Sequence, residues 1–365
     1  MAGIYVHVPF CISRCSYCDF YSTLSDDETR DAFLRALLKE IQSTGYEEPI
    51  DSIYLGGGTP SLLSPGDIEV ILDALAHAFK IKDDAEITIE ANPATFDRVK
   101  LRAFRSQGIN RLSLGIQSLK DSELRLLGRI HTAEDAIDAT NMVSEVFDNY
   151  SLDIIYGIPC QDKSGLDHTL RGILTFSPPH ISAYELEYHE NTLLHKDLIQ
   201  GRITPPGDPD VSGLYIHLCD VLSERNYVHY EISNFSLEGF HCRHNLNYWL
   251  RGDYIGFGPS AHSLIGDRRY SNIADIKEYI DRVERTGSAV EKTILLTERD
   301  RIEEELMLGL RTSRGVDRTR FASDEPVLGA LERDGLIHKN PERIILTPKG
   351  MLVSNAIIVE LLERL

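Results

Sequence analysis

The chain is short of positive charge, of tryptophan and of cysteine. Its 365 residues carry 38 Lys and Arg against 57 Asp and Glu, a formal net charge of −19. A general nucleic-acid binder needs a basic footprint, so no nucleic-acid partner is expected. No run of about 18 apolar residues occurs, which argues against a membrane-spanning helix. The opening MAGIYVHVPF holds neither a basic segment nor a long apolar stretch, so no secretory signal is expected. A cytoplasmic location follows, or an organelle if a transit peptide has been removed. Low-complexity tracts are absent, and 42% apolar with 26% charged residues describes a globular chain of roughly two to three domains. Of only six cysteines, Cys11, Cys15 and Cys18 crowd into eight residues. A disulfide framework spreads its cysteines to close long loops; this crowding points to a metal group in a reducing compartment.

What the sequence does have is alternation. Short apolar runs at 4–9, 52–55, 86–91, 111–117, 152–156 and 180–186 are separated by helical patterns at 31–41, 65–79, 94–107 and 133–147. Six strands alternating with helices predict a parallel α/β sheet, either a partial (β/α)6 TIM-like barrel or a doubly wound sheet. In both, chemistry gathers beyond the C-terminal strand ends. After about residue 188 the pattern changes: a Pro-rich loop at 205–209, a helix at 211–225, a strand and turn at 227–236, and a Gly-rich stretch at 252–259. Helices and a hairpin (336–339 with 344–347) suggest a small C-terminal winged-helix-like α+β domain. That domain has 11 basic and 13 acidic residues, so it reads as a lid or docking module and not as a DNA reader. The expected division is 1–235 barrel, 236–296 connecting region and 297–365 C-terminal domain.

Cys11, Cys15 and Cys18 have the spacing CxxxCxxC directly after the first strand. Three thiolates suit three irons of a [4Fe–4S] cube and leave the fourth open. Zinc with His7 or Asp19 as a fourth ligand, and three structural thiols, are the alternatives. Gly56–Gly58, Thr59 and Pro60 follow the second strand, where glycine allows close backbone approach to a ligand. Glu90 and Gln117 end the third and fourth strands, Asp153 lies in the fifth, and Arg129 follows Gln117 by twelve residues. Glu90 is either paired or ligand-binding. Arg129 and Asp153 bind a ligand or pair with one another.

The cysteine spacing, with Tyr17 just before the third thiol, resembles the signature of radical S-adenosylmethionine (SAM) enzymes. The resemblance implies a partial barrel and a [4Fe–4S] cluster whose open iron chelates SAM for cleavage to a 5′-deoxyadenosyl radical. Five segments in order narrow it: YVHVPFC at 5–11, GGGTP at 56–60, IEANP at 89–93, GIQS at 115–118 and LGRIHT at 127–132. Together they resemble the oxygen-independent coproporphyrinogen III oxidase group, HemN and its relative HemW. By this resemblance Tyr5, Gly57, Glu90 and the cluster serve a first SAM, and Gly57, Gly58 and Thr59 meet its methionyl amine. Tyr17, Gly58, Thr59, Gln117, Arg129 and Asp153 match positions that hold a second SAM in the oxidase.

Two departures weaken the oxidase reading. Phe20 stands where the oxidase has a fourth cysteine, and the first strand begins at once, where the oxidase has an N-terminal arm. The segment 244–249, HNLNYW, matches the HNxxYW motif of HemW and holds the sole tryptophan. The resemblance then implies a heme chaperone in which His244, Tyr248 and Trp249 hold heme, with Cys242 as an alternative ligand. The rival reading is a hydrogen-bonded loop with a core tryptophan. Cys160 and Cys219 read as buried thiols. Implied partners are heme and heme-acceptor proteins such as respiratory oxidases, met as a cluster-loaded homodimer with transient membrane contact. Coproporphyrinogen III oxidase, and a methyltransferase using two SAM molecules, are the alternatives.

Overall fold

The computed structural model describes residues 1–24, 26–321 and 325–364. The six expected strands form as β1 (Ala2–Val8), β2 (Ile50–Gly57), β3 (Ile81–Ala91), β4 (Arg111–Gln117), β5 (Tyr150–Tyr156) and β6 (His180–Glu185). They lie side by side in that order, all parallel. Crossovers run through α1 (Asp27–Ser43), α2 (Pro65–Ala78), α3 (Arg98–Ser106), α4 (Ala133–Ser144) and α5 (Lys163–Leu174). This is the partial (β/α)6 barrel, and not a doubly wound sheet.

Period-2 alternation builds it. In β1, Ile4, Val6 and Val8 are fully buried in one core with Phe33, Leu37 and Ile41 of α1. Each such side chain contributes roughly 1.5–3 kcal/mol of apolar burial. The intervening Gly3, Tyr5 and His7 turn to the barrel interior, where they meet His244, Tyr54 and Gly57. The same alternation places Glu86, Thr88 and Glu90 of β3 inward, so the interior is polar. Helix starts are fixed locally: Ser64 with Asp67 and Thr132 with Asp135 form capping boxes. The third helix starts at Arg98, four residues later than expected, because the Asp97 carboxylate caps it through the Lys100 amide.

The sheet extends past both edges of the barrel. β7 (Val228–Glu231) and β8 (Asn234–Ser236) form an antiparallel pair on β6, so the expected boundary at 235 falls inside β8. After α6 (Asp208–Ser223) and α7 (Arg243–Trp249), β9 (Asp253–Phe257) runs parallel to β1 on its other side. β10 (His262–Ile265), β11 (Arg268–Asn272) and β12 (Val290–Leu295) continue antiparallel to give twelve strands in all. The Gly-rich stretch at 252–259 is mostly strand. Glycine is needed because a Cβ on Gly256 would stand 2.2 Å from the His262 carbonyl oxygen.

The C-terminal part holds α8 (Glu298–Gly309), α9 (Glu325–Arg333), α10 (Ser354–Leu362) and a three-stranded sheet. β14 (Ile337–Lys339) and β15 (Arg343–Leu346) make the expected hairpin, and β13 (Val316–Asp317) pairs with β15. No described helix is long and apolar enough to cross a membrane.

Candidate cofactor site

Beyond the C-terminal end of β1 the chain loops through Cys11, Cys15 and Cys18. The loop is pinned by the Ser16 amide, which donates to the Leu127 carbonyl at 3.0 Å. Gly128 permits this contact: its φ is +70°, and a Cβ there would meet the Ser16 nitrogen at 2.9 Å. All three thiols are half-buried on one cavity. Burial pushes the Cys11 thiol up and the Cys18 thiol up to about 11, and neighbouring sulfur charge adds to both. Thiols so raised are poor free nucleophiles at neutral pH.

Among the described residues no three His, Cys, Asp or Glu side chains converge on a single ion. Both side chains weighed as a fourth zinc ligand are engaged elsewhere. His7 is spent, with Nε2 against the Tyr21 carbonyl at 2.8 Å and Nδ1 against the Tyr5 hydroxyl at 3.1 Å. Asp19 lies beside His189 at 3.7 Å instead. One thiolate to each of several metal atoms is the arrangement that the loop fits.

The cavity is about 540 Å3, within the ~300–1,000 Å3 of small-molecule sites. Tyr17, Gly57, Gly58, Thr59, Glu90, Gln117, Arg129 and Asp153 line it together with the three cysteines. Tyr5 is not on the wall. It stacks on Tyr54, with ring centroids 6.3 Å apart, and its hydroxyl meets His7 Nδ1. Two wall positions require glycine. Gly57 has φ +108°, and a Cβ would reach 2.6 Å from the His7 ring; at Gly58 it would reach 2.6 Å from the Phe10 carbonyl oxygen. Gln117 holds φ +65° at the end of β4, strained backbone of the kind that collects at ligand sites.

Two thiols are joined through a belt of side chains. Thr59 Oγ1 donates to Cys11 Sγ at 3.8 Å and accepts from Asn92 Nδ2 at 3.0 Å. Asn92 Oδ1 accepts from Arg129 Nη2, which also donates to the Gly115 carbonyl at 2.7 Å. Arg129 Nη1 donates to Cys15 Sγ at 3.4 Å. The guanidinium is thus a positive charge held against a sulfur.

Of the two alternatives for Arg129 and Asp153, the ion pair is not formed among the described residues. Asp153 accepts instead from Ser113 and Ser151, each at 2.7 Å. Burial raises its carboxyl above the ordinary range. Glu90 accepts from the Tyr54 hydroxyl at 2.9 Å and the Gly57 amide at 3.1 Å, and burial pushes it up to about 7. It is both paired and on the cavity wall. Two carboxyls and an arginine therefore face a well that also carries the thiols, a set able to hold a zwitterion.

Sequence reasoning missed Tyr54, Asn92, Ser113 and Tyr184 on this wall. Asn92 was visible within IEANP, next to Glu90; the others carry no local signature.

The structure relocates the HNxxYW segment. α7 plugs the barrel interior from below, and His244 is 1% exposed. Its Nδ1 meets Ser52 Oγ at 2.9 Å and its Nε2 meets the Tyr248 hydroxyl at 2.8 Å. The ring stacks on Tyr54, centroids 5.0 Å apart, and burial pushes its pKa down to about 3. In this fold both nitrogens of His244 are hydrogen-bonded, one of them to Tyr248. Trp249 is half-buried and bonds Glu231 through its side chain. Cys242 is buried, its thiol donating to Glu86 Oε1 at 3.5 Å, so it is not an open ligand either. Cys219 is buried as expected, but Cys160 is exposed, at φ +66° in the turn after β5.

Comparison with known proteins agrees with this geometry. Residues 5–172 match the model of the radical SAM superfamily, and residues 296–353 match the HemN C-terminal domain. A Bacillus subtilis protein named heme chaperone HemW is 33% identical over all of both chains. The mitochondrial radical S-adenosyl methionine domain-containing protein 1 of Bos taurus is 34% identical over all of this chain and 88% of its own. The solved structure of Escherichia coli coproporphyrinogen III oxidase HemN superposes with a TM-score of 0.84, at 25% identity over 98% of this chain and 89% of that one. A three-thiol loop on a partial barrel and a likeness that runs end to end place the chain in the radical SAM superfamily, among the HemW-like proteins.

Proposed function

We propose that this protein is a heme chaperone, one that binds heme and passes it to an acceptor protein such as a respiratory oxidase. The observation that carries the reading is the full-length likeness to proteins named for that role, from β1 to α10. Phe20 adds support. It stands 63% exposed at the cavity mouth, where the oxidase has its fourth cysteine. Assembly as a cluster-loaded homodimer in the cytoplasm, with brief membrane contact at the acceptor, belongs to the same reading. As folded, His244 would ligate heme only after α7 left the barrel floor and gave up its bonds to Ser52 and Tyr248.

Cys11, Cys15 and Cys18 would hold the [4Fe–4S] cluster, which when bound supplies one electron and an open coordination position. Gly57, Gly58, Thr59 and Glu90 would hold SAM's methionyl end. Gln117, Arg129 and Asp153 line the same cavity. At the pH where Glu90 is half-protonated, SAM's cationic groups favour the carboxylate. Affinity for SAM should therefore rise by up to about tenfold per pH unit as pH climbs toward 7, and level off above it. Glu90→Gln should flatten that profile. Anaerobic calorimetry at pH 6 and pH 8 reads both.

The second reading, coproporphyrinogen III oxidase, is favoured by the fold likeness to HemN. One experiment separates the two. Anaerobically reconstituted protein is titrated with heme, then mixed with an apo-acceptor, and is assayed in parallel for conversion of coproporphyrinogen III. Stoichiometric heme binding and transfer without conversion supports the chaperone; conversion without heme affinity replaces it with the oxidase.

A further inference from the structure

A second cavity, of about 260 Å3, lies between the C-terminal end of α7 and the C-terminal domain. Its apolar wall includes Trp249 and Phe321, and its polar wall includes two carboxylates, Glu305 and Asp317, and four arginines: Arg251, Arg314, Arg320 and Arg343. Two of these are neutralised. Arg251 pairs with Glu304 and Asp267, at 3.0 and 3.1 Å, and Arg320 pairs with Glu305 at 2.9 Å. Arg314 and Arg343 have no carboxylate within ion-pair distance among the described residues; Asp317, opposite Arg343 across the strand pair, spends its carboxylate on the Thr319 amide and hydroxyl, each at 2.8 Å. The pairing of β13 with β15, Val316 opposite Ile344, brings both arginines to the same cavity. Two guanidiniums without a contact ion pair thus stand beside an aromatic floor. Guanidinium is the side chain suited to forked recognition of carboxylate, and the indole suits the face of a flat ring.

We infer that this cavity grips the carboxylate-bearing edge of a porphyrin, with Arg314 and Arg343 on the two carboxylates and Trp249 against the ring. The inference rests on the heme-chaperone reading and adds a place for the cargo outside the cluster cavity. The volume falls below the ~300 Å3 that encloses a drug-sized ligand, so only one edge is enclosed. The opposite edge stands free for an acceptor to take.

The test uses the full, anaerobically reconstituted chain, with heme and heme dimethyl ester as probes. The single tryptophan reports occupancy by quenching, and the Soret band reports stoichiometry. For Arg314→Glu with Arg343→Glu, heme affinity should fall about tenfold. Arg314→Lys with Arg343→Lys, which keeps the charge and loses the fork, should fall between that variant and wild type. The dimethyl ester should bind wild type and the double Glu variant equally weakly. Arg314 is exposed and Arg343 half-buried, and an unchanged melting temperature excludes misfolding. Equal heme affinity in wild type and the Glu variant overturns this site and leaves the chaperone reading intact. No heme binding by wild type overturns both.

Discussion

Glu86→Ala is expected to cost the fold about 3–5 kcal/mol, because it strands a buried arginine. Arg111 and Glu86 are 2% and 5% exposed and lie inside the barrel, with Nε and Oε2 4.0 Å apart. The same carboxylate accepts from the Cys242 thiol, from the Arg243 amide at 3.2 Å and from the His244 amide at 3.1 Å. It therefore fastens the start of α7 to β3 across more than 150 residues of chain. Removing it leaves a cation in a low-dielectric interior and unties the floor at once. Glu86→Gln with Arg111→Met removes both charges and keeps the volume, so it should cost less than Glu86→Ala alone. Urea unfolding followed by circular dichroism gives the two free energies. A double variant less stable than the single one would mean that the charge pair is not what holds the floor.

Asn92→Leu is the second substitution with a large expected effect, and here the readout is the cluster. Asn92 accepts from Arg129 and donates to Thr59, and these two touch Cys15 and Cys11. A leucine of similar volume deletes both bonds. The buried guanidinium loses one acceptor, a stability loss of about 1–3 kcal/mol. Its hold on Cys15 loosens as well. Hydrogen bonds and positive charge at cluster sulfurs raise the reduction potential, so the variant should have a lower midpoint and hold iron less well on dilution. Asn92→Asp keeps an acceptor for Arg129 and should preserve most of the iron. A redox titration followed by electron paramagnetic resonance, together with iron analysis, checks both. An unchanged midpoint in Asn92→Leu would remove Asn92 from any role at the cluster.

The six barrel strands were legible because each carries an apolar run that buries one full face, as Ile4, Val6 and Val8 do in β1. The cysteine spacing, the glycines at 56–58 and the strand-end acids were legible as local signals, and all but Tyr5 among the expected SAM residues share one cavity. What escaped were partnerships between distant residues. Nothing near His244 announces that Ser52 occupies one of its nitrogens and that Glu86 caps its helix. Residues 253–257 were not assigned as a strand, because glycine at 252, 256 and 258 leaves no apolar alternation to read. Their glycines instead serve close strand approach, which only the neighbouring strand defines. Of the two alternatives for Arg129 and Asp153, the ion pair is not formed: a sulfur takes the guanidinium and a pair of serines the carboxylate, and of these partners Cys15 and Ser113 lie far off in sequence.

With His244 stacked beneath Tyr54 and α7 seated against β1 and β2, no residue of α7 lines the cavity that holds Glu90. Tyr54 is the shared partition: its hydroxyl bonds Glu90 on one side and its ring rests on His244 on the other, so a shift of either neighbour is felt across it.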